Sequence, residues 1–134
     1  VQECLLLSQC SVLGTVREPI HAYILKQTCS EIYSVGPNPI IIADESCLGY
    51  AQHVGCITLS PLPLLPGRGV SKQLPPIGQL SITGIVNVFS DSVSNESVIQ
   101  NTRLHTVIKL ADFITNGIKS ANIPSIYQVS CPHP

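Results

Sequence analysis

The clearest pattern of hydrophobic and polar positions lies between residues 75 and 121. Leu80–Phe89 is mostly apolar and rich in β-branched residues, which is typical of a strand. The Ser- and Asn-rich segment 90–101 favours turns that end this strand. Beyond it we predict a helix over 102–121. Its main apolar face comprises Leu104, Val107, Ile108, Ala111, Ile114, Ile118 and Ala121.

Shorter apolar segments predict further strands, namely Cys10–Val16, Ile40–Ala43, Val54–Leu59 and Ile126–Val129. Ile40–Ala43 is apolar on both faces, which favours a central position in a sheet. Ile24–Cys29 does not alternate cleanly, so a helix is an alternative there. The β-branched and aromatic residues around it, and the Gly- and Pro-rich turn at 36–39, favour a strand.

A short polar stretch follows the strand predicted at Ile40–Ala43. We interpret Asp44, Glu45 and Ser46 as an exposed turn with helix-capping side chains, because no partner acid, base or metal ligand can be identified from sequence. A catalytic carboxylate pair is the alternative interpretation. Residues 47–53 are then expected to form a short helix or a turn.

The length of the chain and one change in composition define its organisation. Its 134 residues correspond to a single domain, expected to span residues 1–134 around one core. Residues 60–78 contain five prolines and three glycines, which predicts a connecting loop between the strands on either side. Helix 102–121 completes this domain.

The balance of apolar and charged residues suggests that the surface is partly covered by another molecule. Hydrophobic residues make up 44% of the chain and charged residues 11%, so few ionised groups remain to cover the surface. We therefore expect a protein partner or a homo-oligomer. No apolar run approaches the roughly 20 residues of a membrane-spanning helix, so no membrane association is expected.

Charge and residue spacing argue against several kinds of site. The net charge is −1 and the seven Lys and Arg residues are scattered, so any nucleic-acid binding should be weak. The six cysteines lack C-x-x-C spacing and the four histidines are widely separated, which disfavours a metal site. We predict no catalytic residue, metal or cofactor. Reduced thiols in a nuclear or cytoplasmic protein are expected, with a secreted disulfide protein as the alternative.

Two glycine-containing segments carry a resemblance to a known family. Cys10–Val16 and Ser81–Phe89, with five short strands and an amphipathic helix, resemble the OB-fold small subunits of replication protein A and telomere-capping complexes. The resemblance implies a mainly β (α+β) domain, a single OB-like five-stranded barrel with a C-terminal amphipathic helix. It also implies a non-catalytic module that assists assembly of a nucleic-acid-associated complex, with weak single-stranded DNA binding. Cationic or aromatic residues near the loops of such a barrel are the proposed contacts: Lys26, Tyr33, Phe89 and Arg103.

A second resemblance is local. Residues 84–95 are similar to the opening strand and first loop of dihydropteroate synthase, and the helix ending at Gly117 lies about where that family has one. This likeness implies a fragment of a folate-biosynthesis enzyme, since a complete (β/α)₈ barrel needs at least about 200 residues. Asn87 would then lie near the pyrophosphate and metal, with Asp91 and Ser92 in a mobile loop. Phe89 and Ser90 replace the family's Thr-Pro.

Leu110 and Phe113 fall outside the main apolar face of the predicted helix. They are three residues apart, so they are neighbours on the helix surface. We predict that they anchor a protein partner or a second copy of the chain, because buried aliphatic and aromatic side chains supply most of the affinity at such contacts.

Overall fold

A computed structural model of the chain describes residues 10–14, 20, 22–34, 40–67, 74–121, 123 and 126–130. Within them, five strands form one sheet in the order β1-β5-β2-β4-β3. The strands are β1 Cys10–Leu13, β2 Ile40–Gly49, β3 Ile57–Ser60, β4 Leu80–Val88 and β5 Ile126–Ser130. The helices are α1 Ala22–Ser34, α2 Asn95–Gln100 and α3 Leu104–Ala121, with a short 3-10 helix at Ala51–His53.

The sheet is mixed, and it is not closed into a barrel. Strands β1, β5, β2 and β4 are mutually parallel, whereas β3 pairs antiparallel with β4 at one edge. Strands β1 and β3 lie at opposite edges of the order. The α+β class and the C-terminal helix were predicted correctly, but the expected OB-like barrel is not what the described residues form. Parallel neighbours need crossover connections of about a dozen residues or more, and these bring helices onto both faces of the sheet.

Each face of the sheet is covered by a different helix. Leu25, Cys29 and Ile32 of α1 belong to one buried cluster with residues of β2 and β5. Ile114 and Ile118 of α3 belong to a second cluster with Ile42 and Ile82 on the other face. Alternation along β2 explains this arrangement, since Ile41 and Ala43 face α1 while Ile42 faces α3.

The strand predicted at Ile24–Cys29 is wrong, because these residues belong to helix α1. Leu25, Cys29 and Ile32 are spaced by four and three residues and are all buried, which is the spacing of one helical face. On its exposed side, Gln27 Nε2 donates to Glu31 Oε1 at 2.8 Å, one helical turn away. The burial of these three side chains on one helical face therefore outweighs the strand propensity of the residues around them.

The turn predicted at Asp44, Glu45 and Ser46 is also wrong. The strand expected at Ile40–Ala43 is central, as predicted, but it continues to Gly49. The three polar residues pair with β4 through the backbone. All three side chains are half-buried, and Asp44 and Glu45 have hydrogen-bond partners distant in sequence that a local propensity argument cannot include.

Several other elements agree with the expected positions. β4 ends at Val88, one residue before the predicted end, and β5 occupies Ile126–Ser130. The predicted Val54–Leu59 strand overlaps β3. Of the short helix or turn predicted at 47–53, only Ala51–His53 is helical, because residues 47–49 belong to β2. Within the loop expected at 60–78, residues 68–73 lie outside the described residues, and Leu64 forms an isolated bridge with Ile77. The single domain over 1–134 stays a prediction.

Helix α3 is rotated relative to the expected packing face. Its buried residues are Leu110, Ile114, Thr115 and Ile118, whereas Leu104 and Ile108 are exposed. Leu110 is therefore a core residue, and its assignment as a surface anchor is wrong; Phe113 is 73% exposed. The reason lies in β4, where Gly84 leaves space for Leu110: a Cβ built at Gly84 would lie 3.3 Å from Leu110 Cδ1.

Leu110 and Phe113 should consequently respond differently to truncation. Leu110→Ala is expected to lower the free energy of unfolding by about 2–4 kcal/mol, because it leaves a cavity over Gly84. Phe113→Ala should change it by about 0.5 kcal/mol or less, since most of that side chain is in solvent. Denaturant unfolding of both variants measures the difference, and equal losses would contradict the observed packing of α3.

Candidate functional site

Asp44, in β2, lies beside the carboxyl end of the neighbouring strand β5. Asp44 in β2 is in register with Ser130, the last residue of β5. Ser130 Oγ donates a hydrogen bond of 2.9 Å to Asp44 Oδ1, and both residues are half-buried. In open α/β sheets, ligands bind outside the carboxyl ends of parallel strands. Asp44 thus lies beside the carboxyl end of β5, although its own strand continues to Gly49 next to β4.

Glu45 faces the opposite side of the sheet because successive residues of a strand alternate. The backbone N–H of Gly67 donates to Glu45 Oε1 at 3.2 Å. Burial raises the pKa of the Glu45 carboxyl, the hydrogen bond from Gly67 opposes this change, and the charge of Asp44 raises the pKa further. Glu45 therefore keeps its proton to a higher pH than an exposed glutamate does.

Cys47 lies on the same side of β2 as Glu45. Burial is the main cause that raises the pKa of its thiol, a hydrogen bond with the Thr83 side chain opposes this, and Glu45 adds to the rise. Thr83 Oγ1 is also 2.6 Å from Thr58 Oγ1 on β3. A protonated thiol is a weak nucleophile. Cys29, Cys47 and Cys56 are free thiols, and no group of three or more His, Cys, Asp or Glu residues suited to a metal occurs within the described ranges.

Asn87 holds the segment after β4 in place. Its Nδ2 donates to Val98 O at 3.3 Å and to Thr102 Oγ1 at 3.4 Å, while Oδ1 accepts a 2.9 Å hydrogen bond from Val88 N. These contacts connect the end of β4 to α2 and to the start of α3. Of the other residues implied by the synthase resemblance, Asp91 and Ser92 are exposed. The side-chain amide of Asn87 thus holds α2 and the residues before α3 against the end of β4.

The proposed nucleic-acid contacts do not all lie together. Phe89 follows the carboxyl end of β4, and Arg103 precedes α3 next to Thr102, so the contact of Asn87 with Thr102 brings both near one end of the sheet. Tyr33 is in the last turn of α1. Because a crossover helix runs back toward the amino ends of the strands, Tyr33 lies at the opposite end. Lys26 is on α1, and its side chain is outside the described part.

A cleft of about 540 Å³ lies between α3 and the segment that leads into β3. Val54, Gly55 and Ile57 form one wall. The other wall consists of one side of α3, with His105, Thr106, Lys109, Leu110 and Phe113. Phe113, predicted as a partner contact, is thus at the mouth of this cleft.

A separate apolar surface occupies the other flank of α3. Leu104 is 71% exposed and Ile108 is 50% exposed. They are four residues apart and therefore adjacent on the helix surface. We call these two side chains the Leu104–Ile108 surface.

Sequence reasoning missed the polar residues of β2 and the cleft. A signal for the first was present: Asp44 and Glu45 directly follow an apolar run assigned to a central strand, and such a strand often extends to a site at its end. No comparable signal existed for the cleft. Its walls are about 50 residues apart in sequence and are brought together by tertiary packing.

Comparison with known proteins gives the family of the chain. Residues 3–117 match a family described as "Protein of unknown function (DUF1256)". The chain belongs to this family. No solved structure gives a significant match. The family description carries no activity, so the OB-fold and dihydropteroate synthase resemblances stay predictions.

A curated protein is also similar to the chain. The chain is 39% identical over 112 residues to the "Uncharacterized protein YyaC" of Bacillus subtilis (strain 168), covering 84% of the chain and 54% of the relative. The chain thus spans about half the length of that relative. Among the helices that the structure describes, none is both long and apolar enough to cross a membrane.

The raised pKa of Glu45 predicts a pH-dependent stability. Because the folded state holds this proton more tightly, it binds more protons than the unfolded state above the ordinary pKa of 4.5. The free energy of unfolding should therefore fall as the pH rises from 4.5 through the folded pKa. Glu45→Gln, which keeps an acceptor for Gly67, should remove this decrease.

Urea unfolding at a series of pH values measures the effect as the stability difference between Glu45→Gln and the parent chain. That difference should grow in favour of the variant as the pH rises. Asp112→Asn, which removes an exposed carboxyl, is measured in parallel as the control. A constant difference for Glu45→Gln would show that the carboxyl titrates alike in both states.

Proposed function

We propose that the chain is a non-catalytic interaction module that binds a second protein subunit through α3 and assists assembly of a nucleic-acid-associated complex. The observation that carries this proposal is the Leu104–Ile108 surface. Two large aliphatic side chains on one flank of a helix have half or more of their surface in solvent. Homo-oligomerisation through this surface is the simplest form of the proposal.

The energetics favour covering this surface. Burying an aliphatic side chain stabilises an assembly by about 1.5–3 kcal/mol when the burial is complete. Thr115, about two turns beyond Ile108 and about three beyond Leu104, is 2% exposed, so the helix passes from an open to a covered region along its length. A partner that packs against the open part of α3 would bury Leu104 and Ile108 together.

The acidic and thiol groups support a non-catalytic role. Glu45 and Cys47 both have raised pKa values caused mainly by burial, which favours their neutral forms. Asp44 is engaged by Ser130. These groups have the character of polar side chains satisfied inside a sheet rather than of an activated nucleophile with its base.

Weak binding of single-stranded nucleic acid is the second part of the proposal. It rests on Phe89 and Arg103, which lie near the same end of the sheet, and both are exposed. An aromatic face for base stacking beside a cation for the phosphate is the minimal arrangement for such binding. The open sheet means that this contact would differ from the barrel surface that the OB resemblance implies.

A fragment of a dihydropteroate synthase-like enzyme is the alternative function. Asn87, the residue that the resemblance places near pyrophosphate and metal, is occupied by contacts to Val98 and Thr102. This favours the interaction module. Binding of a pterin pyrophosphate with Mg²⁺ that is lost in Asn87→Ala would reverse the preference.

The interaction proposal predicts assembly that depends on Leu104 and Ile108. The mass of the parent chain should rise with concentration toward that of a dimer, and Leu104→Ser with Ile108→Ser should keep it monomeric. Size-exclusion chromatography with light scattering measures the masses. Thermal unfolding should show a nearly unchanged fold, because exposed positions contribute little to stability.

A matched control uses apolar residues exposed elsewhere. Leu59 and Leu62 are 71% and 64% exposed, near the β3 edge. Leu59→Ser with Leu62→Ser should leave the assembly intact. If both double variants reduce the mass equally, general stickiness rather than α3 drives association; if neither does, the proposed surface is not an interface.

For nucleic acid, we expect weak binding of a fluorescent single-stranded oligonucleotide that declines as salt is raised. Phe89→Ala should weaken it about tenfold through lost stacking. Arg103→Gln should reduce the slope of log affinity against log salt concentration by about one, the change expected for the loss of one phosphate contact. Lys119→Gln, at the far end of α3, should have little effect. An absence of binding at low salt would leave the protein-interaction role alone.

A further inference from the structure

The cleft between α3 and the start of β3 has the dimensions of a small-molecule site. Its volume of about 540 Å³ lies within the range of roughly 300–1,000 Å³ that is usual for ligand pockets. Its two walls belong to different elements, α3 and the segment 54–57, and each contributes side chains. The cleft is distinct from the Leu104–Ile108 surface, which lies on the other flank of α3.

The lining of the cleft is mainly apolar. Leu110 is buried at its base beside half-buried Ile57, while Val54 and Phe113 stand at its mouth. Phe113 is the most exposed large apolar side chain of α3. A bound apolar group would remove the surfaces of Phe113 and Val54 from water, which favours binding in proportion to the area covered.

The charge in the lining of the cleft comes from Lys109. The Lys109 ammonium supplies a positive charge, and His105 and Thr106 supply an imidazole and a hydroxyl. No Asp or Glu is among the lining residues; Asp112, on the same helix, is not part of the lining. One ammonium matches one carboxylate, whereas a doubly charged phosphate is better held by several cations or an Arg fork.

We propose that this cleft binds a small amphiphilic carboxylate, with its apolar body between Ile57, Leu110 and Phe113 and its carboxylate at Lys109. The hydroxyl of Thr106 and the ring of His105 lie within the same lining and provide further polar contacts to the carboxylate end. The ligand class follows from an apolar cavity with a single cationic side chain. A neutral amphiphile would fill the apolar part of the cleft but would form no ion pair with Lys109.

Decanoate is a suitable probe, with decan-1-ol as its neutral counterpart, both below the concentration at which they aggregate. Isothermal titration of the full chain should show tighter binding of decanoate than of decanol. Lys109→Gln should weaken decanoate about two- to fivefold, the range for one partly exposed ion pair, and leave decanol unchanged. Lys119→Gln, an exposed cation outside the cleft, should change neither affinity.

Phe113→Ala should weaken both ligands by about tenfold because it removes part of the apolar wall. Leu104→Ser with Ile108→Ser should leave decanoate binding unchanged, so the cleft and the protein interface can succeed or fail separately. Equal affinities for decanoate and decanol, equal effects of the two lysine variants, or unchanged binding in Phe113→Ala would each overturn the proposal. So would loss of binding in the Leu104 and Ile108 variant.

Discussion

The two-sided pairing of β2 is the constraint on which the described structure depends. This strand lies between β5 and β4 and is parallel to both. Ile41 and Ala43 are buried on one face and Ile42 on the other, so neither face of β2 can remain in water. Parallel neighbours on both sides require crossovers, and two buried faces require two covers. Helix α1, in the connection from β1 to β2, covers one face, and helix α3, in the connection from β4 to β5, covers the other.

The length of β2 has chemical consequences. The strand continues past the end of β5, which carries Asp44, Glu45 and Cys47 from the apolar core into a half-buried region. Each finds partners far away in sequence: Ser130 for Asp44, Gly67 for Glu45 and Thr83 for Cys47. Polar groups in such a position must be hydrogen-bonded or neutral, and the raised pKa values of Glu45 and Cys47 reflect this requirement.

The sequence predicts elements well where one pattern acts alone. Leu80–Val88 is recognisable from its β-branched residues, and α3 from its apolar spacing. Sequence patterns fail where tertiary contacts determine which of two similar apolar residues is buried. Whether Leu104 or Leu110 is buried depends on the space over Gly84, which belongs to a different element. The cleft was equally hidden, because segment 54–57 and α3 meet only in the folded chain.

The position of β5 has a consequence for how the chain acquires its structure. Residues 126–130 lie between β1 and β2, so Cys10 is paired with Ile126 across most of the sequence. Among the described strands, β1 pairs with β5 alone, so this edge of the sheet needs residues 126–130 before it can form. Contacts of such long sequence separation slow folding, because the loop must close before the pairing stabilises it. The β2–β4 half of the sheet pairs residues that are much closer in sequence, so it forms before the β1 edge.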